Sequence, residues 1–238
     1  MSIFNTPKPM LNPVLWTADK HLKPEARQHF IDLAATIYPP TKMFSLVMLG
    51  SSVSHQYNDT SDVDLCITAV TGEDYDLWHP IFKAFNSEMH YYPGTKHPIN
   101  IMFMEYTPAG DWYNSLGAYD VLNDVWLKAP ISFESLGDPI KKYEREIAYG
   151  HLLLSMIGSE VEAIRKSVVA GNRADFERRL KELSKTFHKI DENRKLSYKY
   201  KIGMPALQEN NILYKLIEDS KYAELFHYLI DHYSSEEF

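Results

Sequence analysis

The sequence holds one cysteine, Cys66, among 238 residues. One thiol cannot close an internal disulfide, and it supplies too few sulfur ligands for a cysteine-based zinc site. That usage fits a reducing, cytoplasmic compartment. Long apolar runs are missing too. No segment approaches the roughly 18 apolar residues that suggest a membrane span, so no membrane partner is expected. The opening "MSIFNTPKPMLNP" carries prolines at 7 and 9 and reads as neither signal peptide nor anchor. Positive charge is in deficit, with 25 Lys and Arg against 32 Asp and Glu, a formal net charge of −7. A polyanion would therefore have to find a local basic patch. Ten histidines are present, but no His-Glu-x-x-His pattern occurs. No internal repeat or low-complexity tract is evident.

What is present is ordinary for a folded domain: 45% hydrophobic and 24% charged residues. The first ten or so residues read as a loose arm. Pro24 to about Ile37 has a proline at its start and Phe30, Ile31, Leu33, Ala34 and Ile37 at helical spacing. "YPPTK" stops that helix. Phe44–Leu49 and Asp64–Val70 are short apolar runs bounded by turn signals, which predicts buried strands. Tyr75 to about Met89 reads as a helix, and "HPINIMFMEY" as a third strand. From Pro139 the pattern becomes helical throughout, with one long helix or two with a break near Gly158, and then three more. The expected division is residues 1–138, a mixed α/β part, and 139–238, a helical part.

The segment "LGSSVSHQYNDTSDVDL" (Leu49 to Leu65) joins the first two strands. Gly50 permits a sharp turn and a close approach to a ligand. Ser51 and Ser52 add hydroxyls, and such a turn aims backbone N–H groups at an anion. Asp62 and Asp64 are two apart, so a strand puts both carboxylates on one side. Two such charges repel unless a cation lies between them. Mg²⁺ (or Mn²⁺) is a hard cation that takes oxygen ligands and leaves room for substrate phosphates. A phosphate cradle beside a carboxylate pair predicts metal-assisted phosphoryl or nucleotidyl transfer. Neither Walker A nor a hydrolase elbow fits: no Gly-Lys-Ser/Thr follows Gly50 and no Gly-x-Ser-x-Gly occurs.

The same segment resembles the signature of the DNA polymerase β-like nucleotidyltransferase superfamily: apolar residue, Gly-Ser, a gap of about ten, then Asp-apolar-Asp-apolar. The resemblance covers roughly residues 11–130. "LNPVLWTADKHLKPEARQHF" and "GAYDVLNDVWLKAP" also resemble a branch associated with bacteriophage genomes, which would place the protein in a host's cytoplasm. The resemblance implies an α+β fold: a small mixed β-sheet core with flanking helices, followed by a C-terminal helical bundle closing over one side. A nucleoside triphosphate such as ATP would lie in the cleft between them. Gly50 and Ser51 would hold its phosphates, with Ser52 beside them, and Asp62 and Asp64 would bind Mg²⁺. Ser61 matches the residue type that the family favours before the first Asp. The acceptor stays open: an RNA end, a protein or a small molecule.

The superfamily adds a third carboxylate on a later strand, and the aligned position here is Asn100. An amide oxygen ligates a metal but carries no charge and is no general base at neutral pH. Glu105 and Asp59 are alternative carboxylates. Two readings follow: an active transferase working through Asp62, Asp64 and Asn100, or a nucleotide-binding or regulatory protein with weakened chemistry. A toxin or antitoxin component is a third. The aromatic residues Trp112, Tyr113, Tyr119 and Trp126 read as packing more than as base platforms. The basic stretch His188–Lys201, with Arg194 and Lys195, reads as a solvated helix end more than as a polyanion contact.

Overall fold

In a computed structural model, the residues described are 7–69, 75–104, 115–136, 141, 143–199 and 209–233. The fold is mixed α+β, in two compact units spanning Asn5–Asp138 and Pro139–Phe238.

The first unit begins with α1 (Pro24–Ile37). Pro24 occupies the first turn, where its missing N–H costs nothing. Ala26, Phe30 and Ala34 recur every four residues and are buried. Strand β1 (Met43–Leu49) and strand β2 (Val63–Ala69) pair antiparallel. Helix α2 (Tyr75–Ser87) and the two-residue strand β3 (His90–Tyr91) lead to β4 (Pro98–Met104). Strand β4 lies parallel to β2, because the chain crosses over through α2. A hairpin of β5 (Ala118–Asp120) and β6 (Val125–Lys128) completes a six-stranded mixed sheet of order β3-β4-β2-β1-β5-β6. A short helix, α3 (Phe133–Leu136), follows.

The sheet has two unlike faces. Leu46 and Met48 of β1, Val63, Leu65 and Ile67 of β2, and Ile99, Ile101 and Phe103 of β4 join α1 and α2 in one apolar core. The period of two sends the residues between them to the other face. There stand Asp64, Asn100, the half-exposed Met102 and a small cluster of Val47, Cys66 and Ala118. The core face stabilises the sheet, and the opposite face is where polar groups are gathered.

The second unit is helical among its described residues: α4 (Glu144–Val169), α5 (Arg173–Lys199), α6 (Glu209–Glu218) and α7 (Ala223–His232). Helix α4 runs unbroken through Gly158, where a Cβ would stand 2.5 Å from the Tyr222 hydroxyl. The glycine admits that tyrosine rather than breaking the helix. Ion pairs lace the surface: Arg179 bonds both Asp175 and Glu160, and Arg178 bonds Asp175. Hydrogen bonds from Ser167, Arg178 and Arg179 hold the Asp175 carboxyl well below the usual range.

Phe187 is fully buried and sets its ring edge-on against Phe226, centroids 5.0 Å apart. Phe187→Ala should cost about 3–5 kcal/mol. Urea unfolding followed by far-ultraviolet circular dichroism checks this, as a fall in midpoint.

Candidate active site

Strand β1 ends in a turn that only glycine can make. Gly50 has φ 76° and ψ −154°, a region essentially closed to other residues. Its missing Cβ matters twice, because an ideal Cβ would sit 2.5 Å from Asp64 Oδ2. Ser51–Val53 then form one 3₁₀ turn. The first N–H groups of a helical turn have no partner within it. The two serines divide the work. Ser52 is buried; its hydroxyl donates to Leu49 O, and its carbonyl accepts the Trp16 indole N–H at 2.8 Å. It shapes the turn and does not offer its hydroxyl to a ligand. Ser51 is only half-buried, and its carbonyl accepts the Ser54 N–H and hydroxyl.

Asp64 pairs with Leu49 on one side and with Asn100 on the other. Register therefore brings Gly50, Asp64 and Asn100 to neighbouring positions on three adjacent strands. Asp62, exposed just before β2, completes the group. Asn100 Nδ2 lies 3.4 Å from Asp62 Oδ2 and 3.5 Å from Asp64 Oδ1. Both hydrogen bonds are long. Of the amide's two ends only the NH₂ can donate to carboxylates, which orients the side chain. One amide thus sits between the two acids. Turned about its last torsion, the amide presents Oδ1 to the same place. Two carboxylates and one amide oxygen then form a set of oxygen ligands suited to a hard divalent cation.

A buried network that sequence reading missed anchors this group. His97 Nδ1 donates to Ser61 O at 2.8 Å, and Asn12 Nδ2 donates to His97 Nε2 at 3.0 Å. A carbonyl only accepts, so Nδ1 is the donor, and Nε2 takes the Asn12 amide hydrogen. Asn12 is fixed in turn, because its Oδ1 accepts the Val14 N–H at 3.0 Å. The Ser61 hydroxyl donates to Asn58 Oδ1 and accepts the Asn58 N–H. Ser61 therefore builds the loop that delivers Asp62. No local pattern marks Asn12 or His97, since they stand 85 residues apart.

Other candidates are placed elsewhere. Asp59 is 98% exposed on its side chain and pairs loosely with Lys8 at 4.0 Å. Asp120 is buried, but the N–H groups of Leu122 and Asn123 and the Asn123 amide occupy it. Glu105, Trp112 and Tyr113 lie outside the described residues. Among the described residues no three His, Cys, Asp or Glu converge on one point. Tyr119 is fully buried, with Trp16 and Trp126 each at 4.9 Å, so this cluster is packing. Arg194 lies 3.7 Å over the Tyr214 ring, and Lys195 pairs with Asp191. Cys66 is buried, and burial plus the Asp64 charge push its thiol up to about 12, so it is no nucleophile at neutral pH. No helix among the described residues is long and apolar enough to cross a membrane.

Comparison with protein-family models finds no match, and comparison with curated proteins finds none.

Asn100→Asp replaces a donor by a third charge. Without metal it should cost about 1–3 kcal/mol. Mn²⁺ should restore the melting temperature, and should bind several-fold more tightly than to the natural protein. Unchanged Mn²⁺ affinity would count against Asn100 as a ligand. Gly50→Ala should cost about 1–3 kcal/mol in backbone strain. By pushing on Asp64 it should also weaken Mn²⁺ binding, measured by the same titration.

Proposed function

We propose that the protein is a metal-dependent nucleotidyltransferase that moves a nucleoside monophosphate from a triphosphate to an acceptor hydroxyl. The observation that carries this reading is the Asn100 amide between Asp62 and Asp64, with Asp64 one strand away from the Gly50 turn. Asp62, Asp64 and the Asn100 amide oxygen would hold Mg²⁺ or Mn²⁺. Such an ion supplies charge neutralisation at the phosphates and lowers the pKa of the acceptor hydroxyl.

The chain's own groups bind and orient. The N–H groups at the start of the Ser51–Val53 turn, with the half-buried Ser51 hydroxyl, face the β- and γ-phosphates. Gly50 keeps that turn against Asp64, so the triphosphate lies beside the carboxylates. The acceptor oxygen forms a bond to the α-phosphorus while the bond to the bridging oxygen breaks. Pyrophosphate leaves with that electron pair. Asn100 takes no proton, so the hydroxyl proton passes to water at the exposed Asp62 side.

A second reading has one observation in its favour: no third carboxylate joins the pair among the described residues. In that reading the site binds nucleotide and regulates.

The test is incubation with each α-labelled triphosphate, Mg²⁺ or Mn²⁺, and a mixed cell extract. Label in RNA, protein or a small molecule supports transfer. Asp62→Ala and Asp64→Ala should each lower it by at least about 10²-fold. Both variants staying fully active would remove the assignment. Metal-dependent nucleotide binding without any transfer would select the regulatory reading.

A further inference from the structure

Strand order fixes what stands on each side of the carboxylates. Read across the open face, the Gly50 turn ends β1, Asp64 is on β2 and Asn100 on β4. Pro98 is two residues before Asn100 and so shares its face. Tyr91 of β3 pairs with Pro98 and shares it as well. The turn and the Tyr91–Pro98 edge therefore flank the carboxylates from opposite directions. At that edge is an open hollow of about 530 Å³ lined by Thr60, Tyr91, Thr95, Lys96 and Pro98. Thr60 is two residues before Asp62, so the hollow adjoins the site.

The lining has a definite chemistry. The Thr60 hydroxyl already donates to Asn58 Oδ1, and that of Thr95 to Tyr92 O. With both donor hydrogens used, what is left for an anionic ligand is one cation, beside one ring and one proline face. Tyr91 is 47% exposed. Lys96 is exposed and makes no ion pair with a described residue. An aromatic face beside an uncompensated ammonium suits a planar group bearing an anion.

Phosphoryl transfer places the attacking and leaving oxygens in line, on opposite sides of phosphorus. With pyrophosphate on the Gly50 side, the nucleophile arrives from the Asn100 side, the side on which this hollow lies. We propose that the hollow is the acceptor subsite and that the acceptor is a nucleotide unit. Its base lies on Tyr91 and Pro98, its phosphate meets Lys96, and its ribose hydroxyl is the group that attacks. This rests on the nucleotidyltransferase reading. The same chemistry is offered by a free mononucleotide and by the end of an RNA strand.

The experiment fills the donor site with α,β-methylene ATP and Mn²⁺, then titrates AMP and, separately, a six-residue oligoadenylate. The natural protein should bind at least one probe, and the tighter of the two identifies the source. Lys96→Ala and Tyr91→Ala should each weaken that probe about tenfold. Lys96→Arg should retain it, and the affinity for the donor analogue should hold in all three. Binding of the donor analogue without either probe, or with probe affinities indifferent to both alanine variants, overturns the acceptor assignment alone. Failure of the donor analogue to bind overturns the nucleotidyltransferase reading and this inference with it.

Discussion

Asp62, just before β2, and Asp64, on it, carry like charges side by side, and the first unit is arranged around their proximity. Such a pair is unfavourable unless something positive or donating stands between its members. Here the Asn100 amide does so, at 3.4 Å and 3.5 Å. It reaches them because β4 runs parallel to β2 with Asn100 opposite Asp64. That parallel pairing requires the α2 crossover, which in turn covers the core face with Phe82. The apolar core and the polar site are two consequences of one sheet.

The loop before Asp62 has no regular secondary structure to hold it, so buried polar groups do. The chain from Asn12 through His97 to Ser61 O fixes the backbone one residue before the first acid. Every member of that chain has a partner, which is what makes a buried polar network stabilising rather than costly. On the far side, the Trp16 indole holds the Ser52 carbonyl, and Trp16 also stacks on Trp126 at 4.9 Å. The residues that precede α1 therefore brace both ends of the loop between the first two strands.

The helical unit is stabilised differently. Its core is aromatic and aliphatic, with Phe187, Tyr214 and Phe226 at its centre. Its exposed faces carry close ion pairs at three- and four-residue spacing, as on Arg173 and Glu177. On its long second helix, Arg194 turns to Tyr214 and Lys195 to Asp191.

The sequence by itself determined the class of elements and the chemistry at stake. Proline and periodicity marked α1, and the strand carrying Asp64 was legible within a residue, because both signals are local. It determined too that Gly50 would turn sharply and that position 100 would carry an amide. It could not mark β3, β5 or β6, since strands of two to four residues carry too little alternation to read. Only the tertiary structure decided that Asn100 lies between the two acids, because register depends on which strands pair. Only it decided that Ser52 and Ser61 serve the backbone, and that Asn12 and His97 serve Asp62. Those roles depend on hydrogen bonds between residues tens of positions apart, and distance along the chain says nothing of distance in the fold.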